Sequence, residues 1–409
     1  MQRYDTYKDS GVKWLGEIPS HWEVKRLASY FTERRVKVSD KEYEPLSVTK
    51  LGVFPQWENV AKTNDGDNRK LVKKGDFVIN SRSDRKGSSG VADRDGSVSL
   101  INIVLKPRNT IRADFSNYLL KSYKFIEEYY RNGRGIVADL WTTRYDEMKM
   151  IKLALPPLEE QTAIANYLDT ATAKIDVAIA QQQKMIDLLN ERKQIIINRA
   201  VTKGLNPNAK MKDSGVEWIG EVPEHWQLLP YRYLFYNLDK LRMPITADQR
   251  SRNNPQYDYY GASGVIDKID YYNVDDKVLL IGEDGANLLM RNLPLIYKAE
   301  GKFWVNNHAH ILKPIRDDYD FLAYVMEAAD YTLYITGSAQ PKLSQSNLNC
   351  VKLPIPPISE QKQIVDYLSK RTGKIDEAIN ESNKMISLLQ ERKQIIINEV
   401  VTGKVKVTN

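Results

Sequence analysis

The chain has 409 residues, more than one hydrophobic core organises, and with 42% hydrophobic and 10% aromatic residues it can fill two or three cores. A single cysteine, Cys350, excludes an internal disulfide framework and a cysteine-based zinc cage, and no run of about 20 apolar residues is present to cross a membrane. The formal charge of +7 suits a polyanionic partner without demanding one.

The first residues, "MQRYDTYKDSGVKW", carry no apolar segment of the secretory kind, so a cytoplasmic protein is expected. Within them begins "KDSGVKWLGEIPSHW" at 8–22, which recurs as "KDSGVEWIGEVPEHW" at 212–226 with 11 of 15 positions identical. His21 and His225 precede the last tryptophan of each copy, where packing or a hydrogen bond to backbone is expected. A block of mixed short strands and loops follows, about 23 to 154, with "GDFVINSRS" and "INIVLKP" as buried strands. Its polar loops are basic: "NSRSDRKGSSG" with Arg82, Arg85 and Lys86, "YYRNGRG" with Arg131 and Arg134, and "LWTTRYDE" with Arg144.

A helix is expected after Pro156-Pro157, because proline fits a first helical turn and Glu159 and Glu160 oppose the positive end of the dipole. Leu168, Ile175, Gln182, Leu189 and Ile196 recur at sevens, with Ile179, Met185 and Ile186 widening the stripe. That period predicts a coiled-coil seam with a polar residue, Gln182, in its central layer, and a stop near Gly204. The segment "KMIDLLNERKQIIIN" at 184–198 returns as "KMISLLQERKQIIIN" at 384–398 with 13 of 15 positions identical.

The second copy repeats the plan. Its block, about 227 to 353, contains the strands "DDKVLLIGEDGA" and "HAHILKP", the glycine turn "YYGASGV", and the loops "KLRMPITADQRSRNNPQYDYYG" and "GSAQPKLSQSN". Candidate DNA-facing residues are Arg242, Arg250, Arg252, Gln340 and Lys342, since arginine and glutamine match base edges and lysine matches phosphate. His308 and His310 alternate along one strand face, with no third metal ligand in view. Cys350 reads as a small apolar residue near a strand. After Pro356-Pro357 and Glu360, the second helix presents Leu368, Ile375, Ser382, Leu389 and Ile396, with Ile379, Met385 and Ile386, and stops near Gly403.

A tandem duplication with near-identical helices and divergent blocks is expected to form an intramolecular antiparallel helix pair, a spacer holding two blocks that recognise different things. No phosphate loop, dinucleotide fingerprint, serine elbow, methyltransferase Pro-Pro-aromatic loop or metal-nuclease triplet occurs, so the chain reads as non-catalytic. A protein-binding scaffold and an enzyme with an unfamiliar site stay open on these grounds.

"GVKWLGEIPSHW" and "GVEWIGEVPEHW", with "LPPLEEQTAIANYLD" and "IPPISEQKQIVDYLS" opening the helices and "YYGASGVIDKIDYY" and "VLLIGEDGANLL" in the second block, resemble the specificity subunit of type I restriction-modification systems. The resemblance covers nearly the whole chain. It implies an α+β fold of two α/β target-recognition domains with pseudo-twofold symmetry, joined by two long helices pairing as an antiparallel coiled coil. The expected domains are 1–154, helix 155–204, 205–353 and helix 354–409. Each domain would read one half of a split site on double-stranded DNA. The helices would dock two methyltransferase subunits, and two restriction subunits would join them. S-adenosylmethionine, ATP and Mg are expected on those partners, with no cofactor or metal in this chain and no membrane contact. The first domain has "GRGIVADLWTTRYDEM" where the second has "GSAQPKLSQSNL", which resembles a different class of recognition domain. Asp139 and Trp141 are therefore weaker candidates than Gln340, and unlike half-sites are expected.

Overall fold

The structure, a computed structural model, describes residues 2–56, 66–135, 141–246, 250, 255–337 and 340–407. It divides into two units, Met1–Gln183 with Asn383–Asn409, and Lys184–Ser382. In the first unit the apolar run "FVIN" becomes strand Phe77–Asn80, buried throughout, in an antiparallel sheet ordered Ser89–Val91, Phe77–Asn80, Asn102–Pro107, Phe31–Glu33. A second sheet of Gly96–Ser99, Arg69–Val72 and Lys37–Val38 is drawn from the same stretch of chain. Helices Ala113–Lys121 and Tyr123–Arg131 bury Phe115, Leu119, Phe125 and Tyr129 in a core shared with Phe31, Phe77 and Trp22.

In the second unit the six-stranded sheet runs Phe235–Asn237, Ala309–Pro314, Val274–Gly282, Ile296–Val305, Tyr257–Gly261, Gly264–Ile269. The "YYGASGV" turn is the two-residue link between its last two strands. The helix Tyr319–Ala328 packs Phe321, Leu322, Val325 and Met326 into a core with Leu279, Leu312 and Trp226. Strand registers make the two domains comparable residue by residue. Leu105 lies opposite both Glu33 and Phe77, as Leu312 lies opposite Asn237 and Leu279.

The prolyl pairs do open long helices, Leu158–Lys203 of 46 residues and Ile358–Val401 of 44. At ~1.5 Å per residue each exceeds about 60 Å. Within the first unit, Leu168 and Ile175 share a core with Ile396, Ile397, Val400 and Val401. Within the second, Ile364 and Leu368 share one with Ile197, Ala200 and Val201. The pairing is antiparallel in both, because low-numbered turns meet high-numbered ones. It carries a reciprocal polar tie: Lys393 Nζ bonds both oxygens of Asp176 at 2.6 Å, and Lys193 Nζ bonds those of Asp376 at 2.6 and 2.8 Å.

The heptad reading needs one correction. Leu168, Ile175, Leu368, Ile375, Ser382 and Ile396 are buried, and Gln182, Leu189, Ile196 and Leu389 half-buried, but Met185 and Met385 are 51% and 46% exposed. Each methionine precedes the inward Ile186 or Ile386 by one residue, about 100° around the helix, which turns it away from the seam. Ile179 and Ile379 are half-buried beside Thr172 and Thr372, which complete the alternate three- and four-residue spacing of a heptad seam.

Candidate nucleic-acid interface

The duplicated His-Trp motif is a clamp on the helix start. Trp22 Nε1 donates to Glu160 Oε1 at 3.1 Å and His21 Nε2 lies 2.7 Å from Glu160 Oε2; in the second unit, Trp226 Nε1 donates to Glu360 at 3.2 Å and His225 Nε2 lies 2.9 Å away. The expected backbone partner of these histidines is thus a side-chain carboxylate, which can hold two donors at a helix N-terminus. The same tryptophans receive the end of the other helix. Gly403, at φ 73°, would press a Cβ into the Pro19 ring and to 3.3 Å from Trp22, and Gly204, at φ 70°, to 3.1 Å from Trp226. Only glycine fits there without strain.

The next residue ties helix to recognition domain. Gln161, buried, accepts from Arg112 N and donates to the Thr110 and Pro156 carbonyls; Gln361, fully buried, accepts from Asp318 N and donates to Asp317 and the Pro356 carbonyl. The Glu-Gln dipeptide common to both helices therefore joins the repeated motif, the helix and the domain.

In the first domain the three basic loops meet at one edge. Arg82 and Arg134 each bridge backbone to Thr142, and Ser83 N donates to the Trp141 carbonyl at 3.0 Å. Lys86 pairs with Glu127 at 2.6 Å and lies over the Tyr130 ring, whose hydroxyl donates to the carbonyls of Asn80 and Arg85. Arg85, Arg131 and Arg134 remain 67%, 60% and 84% exposed beside Asp84, Glu128 and Glu147, and Arg144 is exposed at the start of helix Tyr145–Met148. Beside them is an open hollow of about 730 Å³ lined by Trp14, Tyr123, Tyr130, Trp141, Lys13 and Lys124. Spacing in the sequence gives no signal that Lys13 and Trp14 of the repeated motif lie next to the loops. Asp139 falls outside the described residues.

The second domain assembles the equivalent three segments. Asp284 and Thr336 each bridge to Lys342, Gly285 N donates to the Pro341 carbonyl, and Leu343 N donates to the Glu283 carbonyl. The bridges Arg134–Thr142 and Thr336–Lys342 thus hold corresponding places, each followed by a one-turn helix, Tyr145–Met148 or Gln345–Leu348. Gln340 and Lys342 are exposed here, with Lys342 Nζ 3.1 Å from Glu283. Arg242 is in the same cluster but pairs inward with Glu283 and with Asp239, leaving its side chain 19% exposed. Arg250 lies apart, over the Tyr259 ring and 3.4 Å from Asp267, at 20% exposure. Both arginines are committed to carboxylates in this structure. Arg252 lies outside the described residues.

His308 and His310 do not share a strand face, because His308 sits in the turn before strand Ala309–Pro314. His308 Nδ1 is 2.7 Å from Asp284, while the buried His310 is 2.6 Å from Asp239. Burial pushes the Asp239 carboxyl up, yet the hydrogen bond and charge of His310 and the Ile311 N–H hold it below the usual carboxylate range. Glu283 is likewise held low, with Arg242 and Lys342 outweighing its burial. Among the described residues no group of three His, Cys, Asp or Glu side chains is placed to hold a metal, and no helix is long and apolar enough to cross a membrane. Cys350 is exposed, donating to the Ser346 carbonyl, not packed as an apolar residue.

A family model described as the type I restriction modification DNA specificity domain matches residues 19–186 and 235–386. The chain is similar to the type I restriction enzyme MjaVIII specificity subunit of Methanocaldococcus jannaschii, 25% identical with 98% of each chain covered. It is also similar to the EcoDI specificity subunit of Escherichia coli, 20% identical over 95% of this chain and 90% of that one. A solved chain from work on complex assembly and conformational transition of the type I R-M system superposes with a TM-score of 0.67, at 14% identity, covering 95% of this chain and 99% of the other. With two matched domains covering most of its length, the chain belongs to the type I restriction-modification specificity family and is a specificity subunit with DNA recognition domains, not a catalytic one.

Proposed function

We propose that this chain gives a type I restriction-modification complex its target, each domain reading one half of a bipartite, asymmetric site on double-stranded DNA. The observation that carries this is the shared three-loop edge, built at corresponding places from segments with different side chains. Arg82, Arg85, Lys86, Arg131, Arg134 and Arg144 are the proposed contacts of the first domain, and Gln340 and Lys342 those of the second. Like frames with unlike tips are what reading two different half-sites requires.

The helices are proposed to set the gap between half-sites and to dock two methyltransferase subunits, with two restriction subunits joining the assembly. Exposed apolar stripes support this: Met185, Leu188 and Ile195 on the first helix, at 51%, 51% and 60%, and Met385, Leu388 and Ile395 on the second, at 46%, 50% and 48%. A stripe repeated on both helices suits two copies of one partner. S-adenosylmethionine, ATP and Mg would then be bound by those subunits, and the complex would work in the cytoplasm.

The test is a methylation map. Co-expressed with its methyltransferase partner in a host free of DNA methylation, the chain should produce methylated adenines in a split motif of two unlike halves. Loss of the motif when the chain is omitted is expected; a soluble complex that leaves no motif would overturn the reading. Inserting one heptad into both helices should change the spacer of that motif and keep both halves, because each base pair of spacing adds ~3.4 Å and about 35° of turn.

A further inference from the structure

His310 sits on strand Ala309–Pro314 with its ring fully buried, and both ring nitrogens face acceptors. Nδ1 lies 2.6 Å from Asp239 Oδ2, and Nε2 lies 2.8 Å from the Leu343 carbonyl oxygen. A carbonyl cannot donate, and the other oxygen of Asp239 already accepts from Ile311 N at 2.8 Å. Only a ring carrying both protons can donate to both partners. These two bonds join separate loops: Asp239 begins the turn that carries Arg242, and Leu343 follows Lys342 in the segment proposed to face DNA.

We propose that His310, as a doubly donating imidazolium, is the positioning residue of the second domain's recognition segment, and that reading of its half-site weakens when that proton is lost. This rests on the reading of the domain as a DNA reader. Neutral imidazole must turn a lone pair toward either Asp239 or the Leu343 carbonyl, and in either tautomer the link between the loops is cut. The charges around the ring are Asp239, Arg242, which pairs with Asp239 and Glu283, Glu283 itself, Lys342 at 3.1 Å from Glu283, and the His308–Asp284 pair on the adjoining turn.

The first domain supplies an internal control. By strand register the place of His310 is taken there by Ile103, which lies opposite Ile79 as His310 lies opposite Ile281. The carbonyl corresponding to that of Leu343 belongs to Thr143, and it accepts from the Tyr129 hydroxyl at 3.0 Å. Burial pushes that phenol well above its ordinary range, so it keeps its proton. One recognition segment is therefore held by an imidazole, a side-chain type that can gain or lose a proton between about pH 5 and 8, and the other by a phenol that keeps its proton.

The experiment uses the complex with its methyltransferase partner and fluorescent duplexes bearing the mapped motif, with either half scrambled in turn. Preference for the intact second half should fall by about tenfold or more from about pH 5.5 to about pH 8.5, as expected for a hydrogen bond to a charged group, while preference for the first half stays level. His310→Gln has a single donor nitrogen in place of two on opposite sides of a ring, so it should show weak and pH-flat preference at the second half only. A flat wild-type profile for the second half, or an unchanged profile in His310→Gln, overturns the proposal. Absence of preference for either half would instead sink the DNA-reading function. Should the variant fail to fold, ¹⁵N-histidine spectra of the wild-type complex decide. With only this chain labelled, the ring signal slowest to exchange with solvent belongs to His310, since the chain's other three histidines are about half exposed. It should show two protonated nitrogens at about pH 6, and a single protonated nitrogen there overturns the assignment.

Discussion

The two recognition domains hold their three loops in the same places by different chemistry. In the first, six basic side chains stand at the edge, several largely exposed, and the segment after them is pinned by the Tyr129 hydroxyl. In the second, Arg242 turns inward onto Asp239 and Glu283 while Lys342 stays exposed beside Glu283, and the pin is an imidazole. The His-Trp-Glu clamp beneath, by contrast, is common to both units, the first adding the Tyr4 hydroxyl on Glu160. The comparison teaches that the frame is set by the repeated motif and helix start, whereas the tips are free to exchange a cationic surface for a charge-balanced one.

The largest effect is expected at the common clamp. Trp22→Ala and Trp226→Ala should each cost about 3–5 kcal/mol in urea melts, as for large aromatics removed from a core, and should differ little from each other. A large difference between them would break the equivalence of the units. Next, Tyr129→Phe leaves the Thr143 carbonyl without its donor and should cost about 1–3 kcal/mol, equally at acid and neutral pH. A pH-dependent cost would blur the contrast with His310.

The contrast in surface charge is tested through salt. Replacing Arg82, Arg85 and Arg134 with alanine should lower the slope of log affinity against log salt by about 1 for each phosphate no longer neutralised. Arg242→Ala should leave the slope nearly unchanged and act through stability, because its guanidinium is occupied by Glu283 and Asp239. A drop in slope for Arg242→Ala would show that it reaches phosphate after all. The smallest effect is expected at the helix pair. Removing Lys193 or Lys393 should cost about 1 kcal/mol or less, these ties being partly exposed, and exchanging lysine and aspartate within a pair should restore most of it in a double-mutant cycle.

The duplication, the boundaries of the repeated motifs, the long helices and the seam at Leu168, Ile175, Leu368 and Ile375 were legible in the sequence, because local period and proline placement report directly on helices. So was the clustering of arginines in three loops of the first block. Met185 was misread because apolar character alone does not say which side of a seam a neighbour faces. In the sequence Arg242 and Arg250 read as DNA-facing candidates; their pairing with Glu283 and Asp267 was not legible, because those carboxylates lie 41 and 17 residues away and are brought to them by the fold. The partnership of His21 and Trp22 with Glu160 spans 138 residues or more, and no spacing rule reaches that far.

The sequence by itself determined what repeats: two motifs, two helices, two unlike blocks, and the heptad that lets the helices pair. Tertiary structure alone decided which side chains stand at the loop edge, which cations are neutralised, and which group holds each recognition segment. The reason is physical. Periodicity is a property of consecutive residues, whereas charge pairing and capping of a buried carbonyl depend on strands brought into register from opposite ends of a domain.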